Sequence, residues 1–285
     1  MQQGHARSGP TITPVQDLDH PGLEPYRNQK DAWLRVQAHG GTGLGGLFLA
    51  EGEIVARALF ESKFNVCSVL ITPTRLEGMR ETIDALPPQI PVYLADRRVA
   101  ETIVGFDMHR GVLALGERGQ VPRFGDVVAD TDCLLVLEGL SNHDNIGSLY
   151  RSLAALGPAR SAVMLGPRCA DPFYRKSLRV SMGHVLGVPT TRAERWPDDL
   201  KQLAALGFHT LALTPDASAT PLRSLRVRCP SDKVALVLGA EGPGLTEASM
   251  AEVKHRVRIE MNQGVDSLNV AVSAAVALSQ ICRPG

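Results

Sequence analysis

The chain has 285 residues, and its 30 basic and 30 acidic side chains give a formal net charge of zero. Hydrophobic residues make up 44%, which excludes a wholly disordered chain and suits one large or two modest globular domains. No apolar run reaches the roughly 18 residues of a membrane span, and residues 1–10 lack the apolar segment of a signal peptide. We therefore expect a cytoplasmic protein without a membrane partner.

Residues 1–24 are polar and punctuated by Pro and Gly, which predicts a disordered or loosely docked leader. From 25 to 116 helices and short strands alternate, which predicts a small α/β sandwich domain. Its predicted strands are LFLAEG, NVCSVLIT, PVYLA and GVLALG, and its first helix lies near 30–37. Residues 117–129 are polar and turn-rich, so they are predicted to be a linker.

The alternation restarts with longer elements over 130–285. The predicted strands are 133–140, 161–166, 209–214, 234–239 and 256–261. The predicted helices are 146–156, 174–182, 198–206, 246–255 and 267–282. Short apolar strands between helices are typical of a parallel sheet covered on both faces, so this part is predicted to be a second α/β domain.

Cysteine and histidine spacing gives no sign of a metal site. The five cysteines include no CxxC pair, and the eight histidines show neither HxH nor HxxxH spacing. Buried reduced thiols, without a disulfide framework or a bound metal, are the expectation.

Three segments at or just beyond predicted strand ends carry residues suited to chemistry, because open α/β sheets bind ligands there. In 144–157, Asp144 or Asn145 is placed to cap a helix, and Arg151 lies off its apolar face. Segment 238–245 has three glycines and Glu241, while in 259–282 Asp266 or Ser267 is placed to cap an Ala- and Ser-rich helix. The plain alternatives are a solvated arginine, a structural turn and a buried core helix.

Three stretches, NIGSLYRSLAALG, LVLGAEGPGL and IEMNQGVDSLNVAVSAAVAL, resemble the three motifs of SpoU-type (SPOUT superfamily) RNA ribose 2′-O-methyltransferases in order and spacing. The resemblance covers about 130–285, and 25–116 is similar to the ribosomal-protein-like substrate-binding domain that precedes many such enzymes. It implies a deep trefoil knot in the C-terminal domain, S-adenosylmethionine as cofactor, RNA as substrate, and a homodimer formed through the knot face.

The resemblance also implies roles for individual residues. Those expected to hold the cofactor are Leu213, Thr214, Gly239, Gly244, Ile259, Met261 and Leu268. Those expected to carry catalysis are Arg151, Asn145, Glu241, Ser267 and Asn269. Arg151 would face the target ribose and phosphate, and the others would position it, the loops and the nucleophile.

A local excess of positive charge indicates where RNA would bind. Between residues 151 and 195 there are eight cations and two acids, and 24 of the 30 basic residues of the chain are Arg, which suits phosphate contacts. The expected RNA-binding residues are Arg110, Arg168, Arg175, Lys176 and Arg179. Ribosomal RNA is favoured over transfer RNA, although many relatives have His-Gln-Gly where this chain has His109-Arg110-Gly111.

Two other classes of protein remain as alternatives. A catalytically silent RNA-binding protein of the same fold is disfavoured by the intact set of candidate catalytic residues. A nucleotide-dependent oxidoreductase requires GxGxxG after its first strand, and 137–140 (LEGL) offers no such pattern.

Overall fold

A computed structural model describes residues 9–35 and 46–282. The described chain divides into two compact units. The first unit runs to Gln120 and also takes in Phe173–Leu186, while the second comprises Val121–Pro172 and the chain from Gly187 onward. No helix in the described ranges combines the length and hydropathy needed to span a bilayer.

The first unit is built on a five-stranded mixed sheet with helices. Its elements up to Gln120 are β1 (Ile12–Pro14), α1 (Asp31–Leu34), β2 (Leu47–Glu51), α2 (Glu53–Phe60), β3 (Asn65–Ile71), α3 (Pro73–Gly78), α4 (Arg80–Asp84), β4 (Val92–Leu94), α5 (Arg97–Val104) and β5 (Val112–Glu117). The strand order is β1-β4-β3-β5-β2, with β5 antiparallel to both of its neighbours and the other pairs parallel.

The predicted leader is corrected over residues 9–24. Ile12 pairs with Val92 in a parallel strand contact, and Leu23 is fully buried in the apolar core beside Tyr26. A three-residue strand ending in Pro has no readable period, which is why the sequence pattern missed it. Residues 1–8 lie outside the described residues, as do 36–37 of the helix predicted near 30–37.

The second unit is built on a seven-stranded, fully parallel sheet, which confirms the predicted α/β class. The elements that follow β5 in the chain are α6 (Phe124–Ala129), β6 (Cys133–Leu137), α7 (His143–Leu156), β7 (Ser161–Leu165), α8 (Arg175–Val180), β8 (Thr190–Arg192), α9 (Asp198–Ala205), β9 (His209–Leu213), β10 (Thr220–Pro221), β11 (Val234–Leu238), α10 (Glu247–Glu252), β12 (His255–Arg258) and α11 (Val270–Ile281). All except α8 belong to the second unit.

The strand order of this sheet is β10-β12-β9-β11-β6-β7-β8. Because β12, β9, β11 and β6 are neighbours and parallel, their carboxyl ends open at one edge of the sheet. Helices α7 and α11 pack against each other. The trefoil knot implied by the family resemblance stays a prediction.

Domain boundaries differ from the predicted ones in two places. The predicted linker 117–129 begins in β5 and ends in the helix α6, so the connection shrinks to 118–123. Residues 173–186, predicted within the second domain, belong to the first unit, where Phe173 packs against Phe48 and Phe64 with ring centroids 5.1 and 5.3 Å apart. Such a long-range association leaves no mark in local periodicity.

Candidate active site

A cleft of about 230 Å³ opens at the carboxyl ends of β9, β11 and β12. It brings together three chain segments: the end of β9, the loop after β11, and the stretch between β12 and α11. Every residue expected to hold the cofactor lies on its wall: Leu213, Thr214, Gly239, Gly244, Ile259, Met261 and Leu268. The wall also includes Glu241 and Ser267.

The loop after β11 folds back on itself so tightly that it requires glycine. A Cβ atom added at Gly239 would lie 2.3 Å from the carbonyl carbon of Gly244, closer than any packed pair of atoms. Gly242 and Gly244 adopt φ angles of 94° and 70°, a region that residues with a Cβ rarely enter. The loop therefore presents backbone atoms, with little side chain, to the cleft.

Asn145, Glu241 and Asn269 form one hydrogen-bonded cluster, which we call the amide–carboxylate triad. Glu241 Oε1 accepts bonds from Asn145 Nδ2 at 2.9 Å and from Asn269 Nδ2 at 2.8 Å. Asn269 Nδ2 also lies 2.9 Å from Asn145 Oδ1. The triad ties the start of α7 and the start of α11 to the glycine loop that lines the cleft.

The caps of the two helices differ from the predicted ones, and this explains why the triad forms. The cap of α7 is Asn142, whose side chain accepts a hydrogen bond from the Asp144 N–H at 2.9 Å. The predicted caps, Asp144 and Asn145, do not take this role. The cap of α11 is Asn269, whose Oδ1 accepts a hydrogen bond from the Ala271 N–H at 2.9 Å. The predicted caps, Asp266 and Ser267, do not take this role. The Asn145 side chain can therefore bond Glu241, whereas the Asn269 side chain both caps α11 and bonds Glu241.

Arg151 lies on α7, six residues after Asn145, and is not among the residues that line the cleft. Six residues advance a helix by about 9 Å and turn it by about 600°, so Arg151 projects about 120° around α7 from Asn145. Arg151 is exposed, and within residues 9–35 and 46–282 it has no ion pair or side-chain hydrogen bond. Its guanidinium is therefore available to an anion from outside.

Glu138 lies outside the cleft wall but bonds the residue that follows the glycine loop, and sequence reasoning missed it. Its side chain is buried at the end of β6, and its carboxylate accepts bonds from the Thr246 N–H at 3.2 Å, the Thr246 hydroxyl at 2.9 Å and the Trp196 indole at 3.2 Å. Thr246 caps α10 and directly follows the glycine loop. The available signal was a carboxylate at the end of the apolar run CLLVL, which predicts a buried acid with specific partners.

The expected RNA-binding residues do not form one set. Arg175 pairs with Asp31 at 3.0 Å and stacks over Phe106, and Arg179 pairs with Glu51 at 2.7 Å. RNA binding by these two arginines stays a prediction, and each already has a carboxylate partner within the first unit. The sequence pattern missed this because Asp31 and Glu51 are more than 120 residues away in the chain.

The remaining members of that set are exposed. Arg110 has 57% of its side chain exposed and lies 3.8 Å from the Glu51 carboxylate, and Lys176 and Arg168 are exposed as well. Arg168 and Arg151 belong to the second unit, whereas Arg110 and Lys176 belong to the first. The predicted charge excess of 151–195 is thus divided between the units and partly neutralised by acids outside that range.

The chain is similar to known proteins of one family. The model of the SpoU rRNA Methylase family matches residues 132–279. An uncharacterized tRNA/rRNA methyltransferase of Mycobacterium tuberculosis is 38% identical over 100% of this chain and 98% of its own length. The chain belongs to the SpoU rRNA methylase family.

Other SpoU relatives are more distant. The 23S rRNA (guanosine-2′-O-)-methyltransferase RlmB of Acinetobacter baylyi is 29% identical, over 73% of this chain and 84% of its own. An rRNA methyltransferase from Sinorhizobium meliloti has a similar fold, with a TM-score of 0.74 at 23% identity over 95% of this chain and 97% of its own. Its S-adenosylmethionine-bound form has a TM-score of 0.73.

SpoU methylases use S-adenosylmethionine, which is therefore the cofactor of this chain. The cleft fits that molecule in its chemistry. Leu213, Ile259 and Leu268 supply apolar surface of the kind that an adenine ring requires, and the glycine loop supplies bare backbone. Glu241 places a carboxylate on the same wall, which suits a ligand with a positively charged sulfonium.

Proposed function

We propose that this protein methylates a ribose 2′-hydroxyl in structured RNA, with ribosomal RNA favoured over transfer RNA. The observation that carries the proposal is the amide–carboxylate triad at the wall of the cleft, with the unpaired Arg151 on the same helix as Asn145. The 2′-hydroxyl as acceptor is supported by RlmB, whose name specifies that position and which is 29% identical to this chain.

The chemical problem is that a ribose hydroxyl is too weak an acid to lose its proton before it attacks at neutral pH. Bound S-adenosylmethionine supplies an electrophilic methyl group. The chain must therefore hold the hydroxyl oxygen about 3 Å from that methyl group, in line with the sulfur. It must also stabilise negative charge as it develops on that oxygen.

Arg151 supplies the positive charge in this scheme. A guanidinium stays protonated in proteins, so it serves poorly as a general base. It instead binds the phosphate beside the target ribose through two parallel N–H donors and stabilises the oxygen that is losing its proton. That phosphate or a water molecule takes the proton.

Asn145, Glu241 and Asn269 act as positioning residues. Their mutual bonds fix the glycine loop relative to α7, so that Arg151 and the cleft keep one geometry. Ser267 lies on the wall of the cleft and is proposed to hold the loop or the nucleophile through its hydroxyl. Held in place before the substrate arrives, such groups lower the reorganisation that catalysis requires.

We further propose a homodimer that buries the apolar residues exposed next to the cleft. Val265 and Val272 are each 50% exposed, and they lie before and on the start of α11. Small residues along α11 allow a second helix to approach closely.

We place the protein in the cytoplasm, where its RNA substrates are found.

Ribose methylation mapping tests the function directly. Total RNA from a strain that lacks the gene is compared with wild-type RNA by nucleoside mass spectrometry. We expect one 2′-O-methylated nucleotide of ribosomal RNA to disappear and to return when the wild-type gene is restored. Loss of a base methylation, or unchanged RNA methylation in a strain that normally expresses the protein, contradicts the proposal. The second result indicates the catalytically silent RNA-binding alternative.

A further inference from the structure

Three of the five cysteines, which are far apart in the chain, meet in the second unit. Cys133 begins β6, Cys229 precedes β11, and Cys282 directly follows α11. Their sulfur atoms all lie within 4.8 Å of one another, and those of Cys133 and Cys282 are 3.7 Å apart. The residues are 0%, 1% and 4% exposed. We call these residues the three-cysteine cluster.

The backbone holds the cluster in place. The Cys229 N–H donates to the Ile281 carbonyl at 2.8 Å, and Cys229 and Cys282 pair as in a parallel bridge. Cys133 pairs with Val234 in the sheet. Because all three cysteines are anchored by main-chain bonds, their Cα atoms are held close together by the fold, and the side-chain rotamers then set the spacing of the sulfur atoms.

That spacing matches a shared metal ion better than a disulfide. Two thiolates bound to one ion at about 2.3 Å are about 3.8 Å apart in tetrahedral geometry and about 4.0 Å apart in trigonal geometry. The 3.7 Å between the sulfur atoms of Cys133 and Cys282 lies close to both values, and it also suits the hydrogen bond that the two thiols form when no ion is bound. A disulfide requires a separation of about 2.05 Å. An ion can therefore enter with little movement of the backbone.

The donor set indicates which ion would bind. Among residues 9–35 and 46–282, no His, Asp, Glu or fourth Cys joins the group of ligand atoms. Structural zinc sites take four ligands. Three sulfur ligands without a fourth suit a soft ion that accepts three-coordination, and thiolates select Cu(I) among such ions. We propose that Cys133, Cys229 and Cys282 bind one soft metal ion of the Cu(I) class through their three sulfur atoms.

The site is separate from the proposed catalytic function. Cys133 and Val234 lie at the amino ends of β6 and β11, whereas Leu238, on the wall of the cleft, ends β11. Val234 and Leu238 are four strand steps apart, which is about 13 Å. The bound ion would connect the end of α11 to the sheet and stabilise the fold, because a ligand that binds only the folded state raises its melting temperature.

Copper titration of the full chain tests the site. The protein is reduced with a thiol-free reductant under anaerobic conditions and titrated with Cu(I) held by a chromogenic chelator, which reports competition. We expect one Cu(I) per chain, three sulfur neighbours at about 2.3 Å by X-ray absorption, and a raised melting temperature. Cys133→Ala, Cys229→Ala and Cys282→Ala should each weaken binding by about tenfold or more. Cys282→Ser, which keeps the side-chain volume, should lose binding equally.

Matched controls are Cys67→Ala and Cys169→Ala, which remove the two cysteines outside the cluster and should leave Cu(I) affinity unchanged. The proposal is overturned if wild type and Cys133→Ala hold Cu(I) equally. It is also overturned if Zn(II) displaces Cu(I), or if the isolated protein contains a Cys133–Cys282 disulfide. S-adenosylmethionine affinity should stay the same in all five alanine variants, so failure of the metal site leaves the proposed methylation standing.

Discussion

Asn269 bonds Glu241 and caps α11 with opposite ends of one side-chain amide. Its Nδ2 donates to Glu241 Oε1 at 2.8 Å, and its Oδ1 accepts from the Ala271 N–H at 2.9 Å and the Val272 N–H at 3.3 Å. The orientation of the amide is thus determined by both sets of partners. One residue couples the start of a helix to the wall of the proposed active site.

Two substitutions at this position separate its two roles. Asn269→Asp keeps a good cap, so any fall in its melting temperature reports the lost bond to Glu241 and the repulsion between two carboxylates, and not the cap. It replaces the Nδ2 donor with a carboxylate oxygen facing Glu241, so S-adenosylmethionine affinity and methyl transfer should fall about tenfold or more. Asn269→Ala loses the cap as well, at a cost of about 1 kcal/mol. Thermal melts and calorimetric titration measure both effects. Wild-type activity in Asn269→Asp would show that the bond to Glu241 does not matter.

Gly239→Ala should damage cofactor binding without unfolding the chain. The new Cβ would meet the Gly244 carbonyl carbon at 2.3 Å, so the loop has to shift. Over-packing of this kind costs about 1–3 kcal/mol, which amounts to about fivefold to 150-fold in Kd where the cost falls on the cofactor-bound state. Gly125→Ala is the matched control, because its Cβ meets nothing within 4 Å and lies in helix α6. Equal S-adenosylmethionine affinities for Gly239→Ala and Gly125→Ala would show that the close approach of Gly239 to Gly244 does not matter for cofactor binding.

Glu138→Gln should destabilise the second unit and loosen the glycine loop. The carboxylate accepts from the Thr246 N–H, the Thr246 hydroxyl and the Trp196 indole, and an amide has one acceptor oxygen for these donors. A buried donor left without a partner costs about 1–3 kcal/mol, which urea unfolding measures. Glu247→Gln removes an exposed carboxylate from α10 and should change stability by less than about 0.5 kcal/mol. Similar values for the two variants would contradict the role of Glu138.

His255 should make stability depend on pH in the mildly acidic range. Burial, and then electrostatic interactions with Lys254 and His209, lower the pKa of His255 below its ordinary value of about 6.5. The unfolded chain then binds a proton at a higher pH than the folded chain, so stability falls as the pH drops below about 6.5 until the folded pKa is reached. Melting curves between pH 8 and pH 5 should show a smaller loss for His255→Gln than for the wild type. If the wild type and His255→Gln lost the same stability between pH 8 and pH 5, His255 would make no contribution to the pH dependence.

Local sequence patterns singled out two segments, 238–245 and 259–282, whose residues line the cleft, because both segments lie at or just beyond strands. Gly239 directly follows an apolar run, and in a parallel sheet the carboxyl ends of neighbouring strands meet at one edge. Family motifs then indicated which of these residues to group. The strand alternation likewise predicted the parallel sheet of the second unit.

Contacts between residues that are distant in the chain could not be predicted from local sequence patterns. Arg175 and Asp31 are 144 residues apart, and Cys133 and Cys282 are 149 apart. Nothing in composition or spacing brings such pairs together. Caps were misplaced for a related reason: Asn142 and Asn145 are both good caps, and only the geometry of the chain selects between them.

The most direct measurement is methyl transfer to the mapped RNA by Arg151→Ala, together with its S-adenosylmethionine affinity. Arg226→Ala serves as control, because Arg226 is also exposed and lies away from the cleft wall. We predict that Arg151→Ala lowers kcat by about a hundredfold or more, as loss of one oxyanion-stabilising donor does, with cofactor Kd within about twofold of the wild type. Near-normal 2′-O-methylation by Arg151→Ala would contradict the proposed mechanism.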